Sequence, residues 1–277
     1  MSIVTTSPNP NRVRDLERAL EDVRASRPAA AHVLTVTDDP NSDAGAVAAA
    51  IEADPMLTAQ VLRLANSAAF GMSERVSSTQ VAVSLVGQSA IRSIAVLLAS
   101  GLRNHKNPVP GGFWAHSAST AAACAVLSSR FGVVRGEAFS LGLLHDVGSA
   151  ILHSVDPATH VALVDADDDT TTLCIQELLE FGMSHADAAA RVLSSWNFPA
   201  PFVTAVAHHH DAGHGSTPFD RVLLAGDAVA HVLAVESQGE ADDVGRLGDL
   251  GIDPDELPAL RRSVADYAAE AMAALPL

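Results

Sequence analysis

Along nearly the whole chain, apolar residues return at intervals of three and four, and no segment shows a convincing alternation at every second position. The first spacing is that of one helical face, whereas a half-buried strand repeats every two residues. A sheet protein is therefore not expected, and the pattern predicts an all-α fold. Composition supports it: the apolar share rests mainly on Ala, Val and Leu, and only 4% of the 277 residues are aromatic, which suits helices that approach closely.

Val13, Leu16, Leu20 and Val23 mark a first amphipathic helix over 12–27. Ser42 or Asp43 is placed to cap a helix carrying Val47 and Ile51, and Leu57, Val61, Leu62 and Leu64 restart the period until Gly71. Ser77 or Ser78 opens a further helix through Val81 and Leu85, and Ile91, Ile94 and Leu98 mark another. Five helices in about a hundred residues make a compact bundle. The stretch RNHKNPVPGG, 103–112, concentrates Pro, Gly and Asn and reads as a boundary. It divides an N-terminal helical bundle, 12–105, from a C-terminal helical domain, 112–277, on which the bundle is expected to pack. Helical patterns follow at 113–131, 137–147, 174–181, 184–195, 200–208 and 219–235. The acidic, Gly-rich run 236–254 reads as an exposed loop before a closing helix, 256–274.

Charge restricts the partners. The formal net charge is −16, and Lys106 is the only lysine. Such a surface repels phosphate backbones and anionic lipid, so neither nucleic acid nor membrane is expected as a partner. Any anionic ligand needs a metal or a few arginines to hold it. Cys124 and Cys174 are too few for a disulfide framework and fit a reduced cytoplasm. The N-terminus lacks an apolar signal core, and the longest apolar stretch, near Ile94 to Leu98, falls short of a membrane span. A cytoplasmic protein, neither exported nor anchored, is the expectation.

Ten of the twelve histidines lie in the second part. His145 and Asp146 interrupt the otherwise apolar GLLHDVG, where burial without partners would be costly, so either a cation or a hydrogen-bond network must accompany them. His208, His209 and His210 run consecutively near a helix end, and successive helical residues point about 100° apart, so not all three can share one face. His116 in FWAHS and His185 in SHADAAARVLSSW each stand alone on an apolar or Ala-rich helix, as a satisfied core histidine would. The set changes the reading: His116, His145, Asp146, His185, one or both of His209 and His210, and Asp227 in LLAGDAVAH fall on successive helices. Imidazole and carboxylate from facing helices are how bundles build metal sites, including sites for two ions.

Two long strings, IEADPMLTAQVLRLANSAAFG with VSSTQVAVSLVGQSAIRS, and then FWAHS, GLLHDVG, SHADAAARVLSSWNFP and a paired histidine, resemble the HDOD family over about 12–235. That family is a bacterial signalling relative of the HD-domain metal phosphohydrolases, so the resemblance implies an HD-type helical domain after the first bundle. It also implies His116, His145, Asp146 and Asp227 as ligands of one metal. The related HD-GYP phosphodiesterases add histidines for a second ion, which in chain order are His185, His209 and His210. The chain departs from the HD-GYP pattern in having Ser149 near the place of its lysine and HDAGHGSTP in place of Gly-Tyr-Pro. The resemblance therefore does not extend to cyclic-dinucleotide hydrolysis.

Two functions follow. One is a regulatory signal-transduction module that responds to a ligand or metal and binds a partner protein. The other is a metal-dependent phosphohydrolase or phosphodiesterase acting on a nucleotide or other phosphoester. Either takes one or two divalent transition ions, and Fe, Mn, Ni and Zn all suit the donor set. A purely structural histidine cluster is the third reading, and it requires the helices to hold these residues apart.

Overall fold

The computed structural model describes residues 8–22, 28–67, 76–99, 109–166, 170–211, 216–234, 245 and 247–274, and among these there is no strand. Among the described residues, six helices occupy the first hundred positions: α1 (Pro10–Asp22), α2 (Pro28–Asp38), α3 (Ala44–Glu52), α4 (Pro55–Ala65), α5 (Thr79–Val86) and α6 (Gln88–Ala99). Nine follow: α7 (Phe113–Leu127), α8 (Arg135–Leu144), α9 (Val147–Val155), α10 (Pro157–Ala166), α11 (Thr170–Phe181), α12 (His185–Ser195), α13 (Ala200–Ala207), α14 (Pro218–Ala234) and α15 (Leu257–Ala274). Most of the expected boundary stretch, through residue 108, lies outside the described residues, as do 23–27 at the end of the expected first helix.

Local chemistry sets these elements. Asp43 caps α3 by accepting from the Ala46 amide at 2.8 Å, and Ser78 faces the Val81 amide at the start of α5. Asn66 accepts from the Val76 amide at 2.6 Å and donates to the Val76 carbonyl at 2.7 Å, which explains a polar residue directly after the apolar α4. Helices α2 to α6 pack on one another around Val33, Ile51, Leu57, Val61, Ile91 and Ile94, all fully buried. α1 instead lies on α9 and α11, where Arg12 pairs with Asp156 and Glu180.

α7 is the centre of the second part. Ala118, Ala121, Ala122, Ala123, Cys124 and Ala125 bury every side of it, and α8, α14 and α15 pack around it. Small residues permit that crowding, because a helix apolar all round must be covered all round. α6 packs on α8, and Arg92 of α6 fastens the two halves: it pairs with Asp38, donates to Thr37 and the Trp196 carbonyl, and lies 5.1 Å over the Phe198 ring.

Some expectations about the elements need correction. The run 236–254 is not simply an exposed loop, since 247–249 are helical and Leu247 and Ile252 are 1% exposed in the core. Among the described residues the first hundred hold six helices rather than five, α2 having been passed over, and α9 and α10 were passed over as well. No single described helix is long and apolar enough to cross a membrane.

Candidate metal centre

The dyad sits at a break between helices. α8 ends at Leu144, His145 follows as its C-cap, and Asp146, with φ −99° and ψ 11°, begins α9. The continuous helix expected over 137–147 therefore bends at the two residues that carry chemistry, and the bend lets both side chains face inward. Glycines on either side make the approach possible. A Cβ on Gly142 would stand 2.6 Å from the Thr120 carbonyl oxygen of α7, and one on Gly148 would stand 1.9 Å from the His185 carbonyl oxygen of α12. Only a missing side chain allows backbones so close.

Every residue of the expected set converges here. His116 Nε2 lies 3.2 Å from His145 Nε2, 3.2 Å from Asp227 Oδ1 and 3.6 Å from Asp146 Oδ2. On the other side of Asp146, its Oδ1 lies 3.6 Å from His185 Nε2 and 3.5 Å from His209 Nε2, and His210 Nε2 is 2.9 Å from His185 Nε2. The ligand atoms form two groups, His116 with His145 and Asp227, and Asp146 with His185, His209 and His210. A single ion with bonds of about 2.1 Å spaces its neighbouring ligands about 3.0–3.4 Å apart, and the observed separations sit at or near that scale. His209 and His210 can both face inward because α13 ends at Ala207 and His208–His210 form a turn, so the 100° helical step no longer applies. His208 points away and pairs with Asp211 at 2.7 Å.

The outer nitrogens orient the inner ones. His145 Nδ1 donates to the Gly142 carbonyl at 2.8 Å, His209 Nδ1 to the Val206 carbonyl at 2.6 Å, and His185 Nδ1 to the Glu177 carboxylate at 2.7 Å. Each acceptor has no proton to give, so the neutral ring carries its hydrogen outward and presents a bare Nε2 to the centre. Asp146 Oδ1, Asp227 Oδ1 and His209 Nε2 are buried without a hydrogen-bond partner. Orphaned acceptors of this kind cost free energy unless a cation meets them, so the donor set fits a metal.

With no cation, protons take part of that place. Burial opposes charge on His116, but Asp227 and then Asp146 raise its pKa to about 9. Burial opposes charge on His185 as well, and Glu177 and Asp146 raise it to about 9. His145 is held at about 4 and His210 at about 2, in each case chiefly by burial. His116 and His185 therefore favour the imidazolium form. Burial would favour neutral acids at Asp146 and Asp227, yet the surrounding histidines hold both well below the usual carboxylate range. The centre opens on one side: His116 and Asp146 keep 25% and 21% of their side chains exposed, against 1% for His145 and His209.

Three neighbours were absent from the expected set. Glu177 and His160 lie behind His185, and His231 stacks on His116 at 5.0 Å with its Nδ1 3.9 Å from Asp227 Oδ2. His231 was legible as the residue four after Asp227 on one helical face. Glu177 had no such signal, because Ile175, Leu178 and Leu179 around it predict an apolar inner face that the structure turns to solvent.

A family model described as the HDOD domain matches residues 26–212. A crystal structure from Shewanella amazonensis SB2B, provisionally called a phosphohydrolase, superposes with a TM-score of 0.70 at 22% identity, covering 96% of this chain and 99% of that one. A structure from Marinobacter aquaeolei VT8, provisionally called a signal transduction protein, gives 0.64 at 22% identity over 98% of this chain and 68% of the other. These likenesses establish the fold. Among curated proteins, an uncharacterised protein of Treponema pallidum is 22% identical over 191 residues, 67% of this chain and 37% of that protein, so the chain spans little more than a third of the relative it matches.

Proposed function

Because the chain belongs to the HDOD family, we propose that it is a signal-transduction module whose C-terminal part carries a two-ion metal centre and answers to metal or to an anionic ligand there. One observation carries this reading: Asp146 turns Oδ2 toward His116 and His145 and Oδ1 toward His185 and His209, which is the placement of a bridging carboxylate. His116, His145, Asp146 and Asp227 would hold one divalent transition ion, and Asp146, His185, His209 and His210 the other. Fe, Mn, Ni and Zn each accept such a mixture of imidazole and carboxylate. The partner in this reading is another signalling protein.

A second reading, metal-dependent hydrolysis of a nucleotide or other phosphoester, is favoured by the open side of the centre at His116 and Asp146. Bound ions there would acidify water and offset phosphate charge. The chain's own residues orient the ring nitrogens, exclude water on the side of His145 and His209, and place His231 beside Asp227 at the more open edge.

Elemental analysis of protein purified without a histidine tag or chelating column tests the shared premise. Two transition ions per chain are expected, and Asp146→Ala should lose both and lower the melting temperature. Metal-free wild type whose stability is unchanged by the substitution would leave only a hydrogen-bonded cluster. Turnover separates the readings: the signalling module, loaded with Mn or Fe, should hydrolyse phosphoesters no faster than Asp146→Ala. A metal-dependent enhancement of about 10³-fold over background, small for an enzyme, would establish the hydrolase instead.

A further inference from the structure

Behind the centre stands a carboxylate that none of the metal-ligand roles uses. Glu177 of α11 is wholly buried, and among the described residues its ion-pair neighbours are two histidines, His185 and His160. One oxygen, Oε2, accepts twice from the same residue, from the His185 ring Nδ1 at 2.7 Å and from the His185 backbone amide at 2.8 Å. The other, Oε1, is buried without a hydrogen-bond partner and lies 3.7 Å from His160 Nε2. A buried carboxylate whose partners are one backbone amide and two imidazoles is costly unless positive charge lies close by. The two contacts from one residue fix both the position and the rotation of the His185 ring, whose Nε2 faces Asp146 Oδ1 at 3.6 Å and His210 Nε2 at 2.9 Å.

We infer that Glu177, backed by His160, is the positioning residue of the second ion, holding His185 in the ring orientation and tautomer that direct Nε2 at the metal. The inference rests on the two-ion reading above. Partners of this kind raise the basicity of a ligating imidazole, and their loss typically weakens metal affinity about 10–100-fold. The competing role is purely structural, because the same carboxylate meets the first amide of α12, the helix whose Asp187 amide Ser184 caps. The two roles differ in what happens without metal. A structural Glu177 contributes equally to both states, whereas a positioning Glu177 contributes more when the ion is bound than when it is not.

The experiment is Mn²⁺ titration and thermal melting of the full chain as wild type and Glu177→Gln, which keeps the acceptor oxygen and removes the charge. The expected result is one ion bound about 10–100-fold more weakly and the other nearly unchanged, with a smaller rise in melting temperature on adding Mn²⁺ than wild type shows, whatever the metal-free value. Equal loss of stability with and without metal, or unchanged affinity for both ions, overturns the assignment. Should Glu177→Gln not fold, Glu177→Asp retains the charge but withdraws it by one methylene, and it too must weaken one ion selectively. Wild type that binds no Mn²⁺ defeats the two-ion reading and this inference together. Wild type that binds two, with both variants indistinguishable from it, defeats this inference alone.

Discussion

An alanine at position 148 should destabilise the protein and detach His185, although a glycine inside a helix is ordinarily improved by that change. Gly148 lies within α9, where alanine is worth about 1 kcal/mol over glycine. Against this, its Cβ would stand 1.9 Å from the His185 carbonyl oxygen and 2.8 Å from the Ala189 amide nitrogen. Both are backbone atoms of α12 and cannot rotate aside, so the two helices must part by about 1.5 Å to restore the 3.4 Å at which ordinary contact begins. Overpacking costs about 1–3 kcal/mol, sometimes more, and a rigid contact this short belongs at the upper end. The net loss is then about 2 kcal/mol, or a fall of roughly 4–8 °C in melting temperature for a chain of this size. Movement of His185 by more than 1 Å also breaks the grouping with Asp146, His209 and His210, so one ion should bind more weakly. Thermal melting followed by circular dichroism and metal titration give the two readouts. A Gly148→Ala protein with wild-type melting temperature and metal affinity would refute the close-approach argument.

Arg92→Ala should cost about 2 kcal/mol by leaving the Trp196 carbonyl without its partner and the partly exposed Asp38 with only Asn197, and Arg92→Lys should not restore it, since one ammonium cannot reproduce a fork that meets three groups. Urea unfolding measures both, and full rescue by lysine would count against the assignment. Burial first, and then Glu177 and Asp146, push the Cys174 thiol up to about 12, against about 8.5 for a free thiol. Because only the thiolate reacts, iodoacetamide should label Cys174 about 10³-fold more slowly than free cysteine at pH 8, with the rate still rising with pH above 9. A rate within tenfold of the free thiol would contradict the raised pKa of this half-buried thiol.

The helical fold was legible because most elements carry an apolar stripe that faces a neighbour, and periodicity reads that stripe directly. Where the stripe is missing or reversed, reading failed for the same reason. α10 buries His160 alone and turns Val161 and Val164 outward, and α11 exposes Ile175, Leu178 and Leu179 while burying Glu177. A rule that sends apolar residues inward passes over the first helix and assigns the second its wrong face. The candidate site was legible by residue type, since histidines and aspartates interrupting apolar helices need partners. The His208–His210 turn was not, because the 100° argument assumes a helix that has already ended. Nor does a one-dimensional pattern show that Gly142 and Gly148, which bracket the dyad, do so to admit two other backbones.

Charge links the centre to whatever ligand it takes. Asp146, Asp227 and Glu177 place three carboxylates within one buried cluster, on a chain whose formal net charge is −16. Without metal that ground is unfavourable for a phosphate or any other anion, since the local charge and the surface field act in the same direction. Two divalent ions outweigh three carboxylates and reverse the local sign, while the surrounding surface stays acidic. An anionic ligand would then bind at the open side near His116 and Asp146 only when the centre is loaded, and by linkage it would tighten the metal in return. Both proposed functions require this coupling. They part at the next step, where a module that holds its ligand unchanged transmits the bound state, and a hydrolase releases two products.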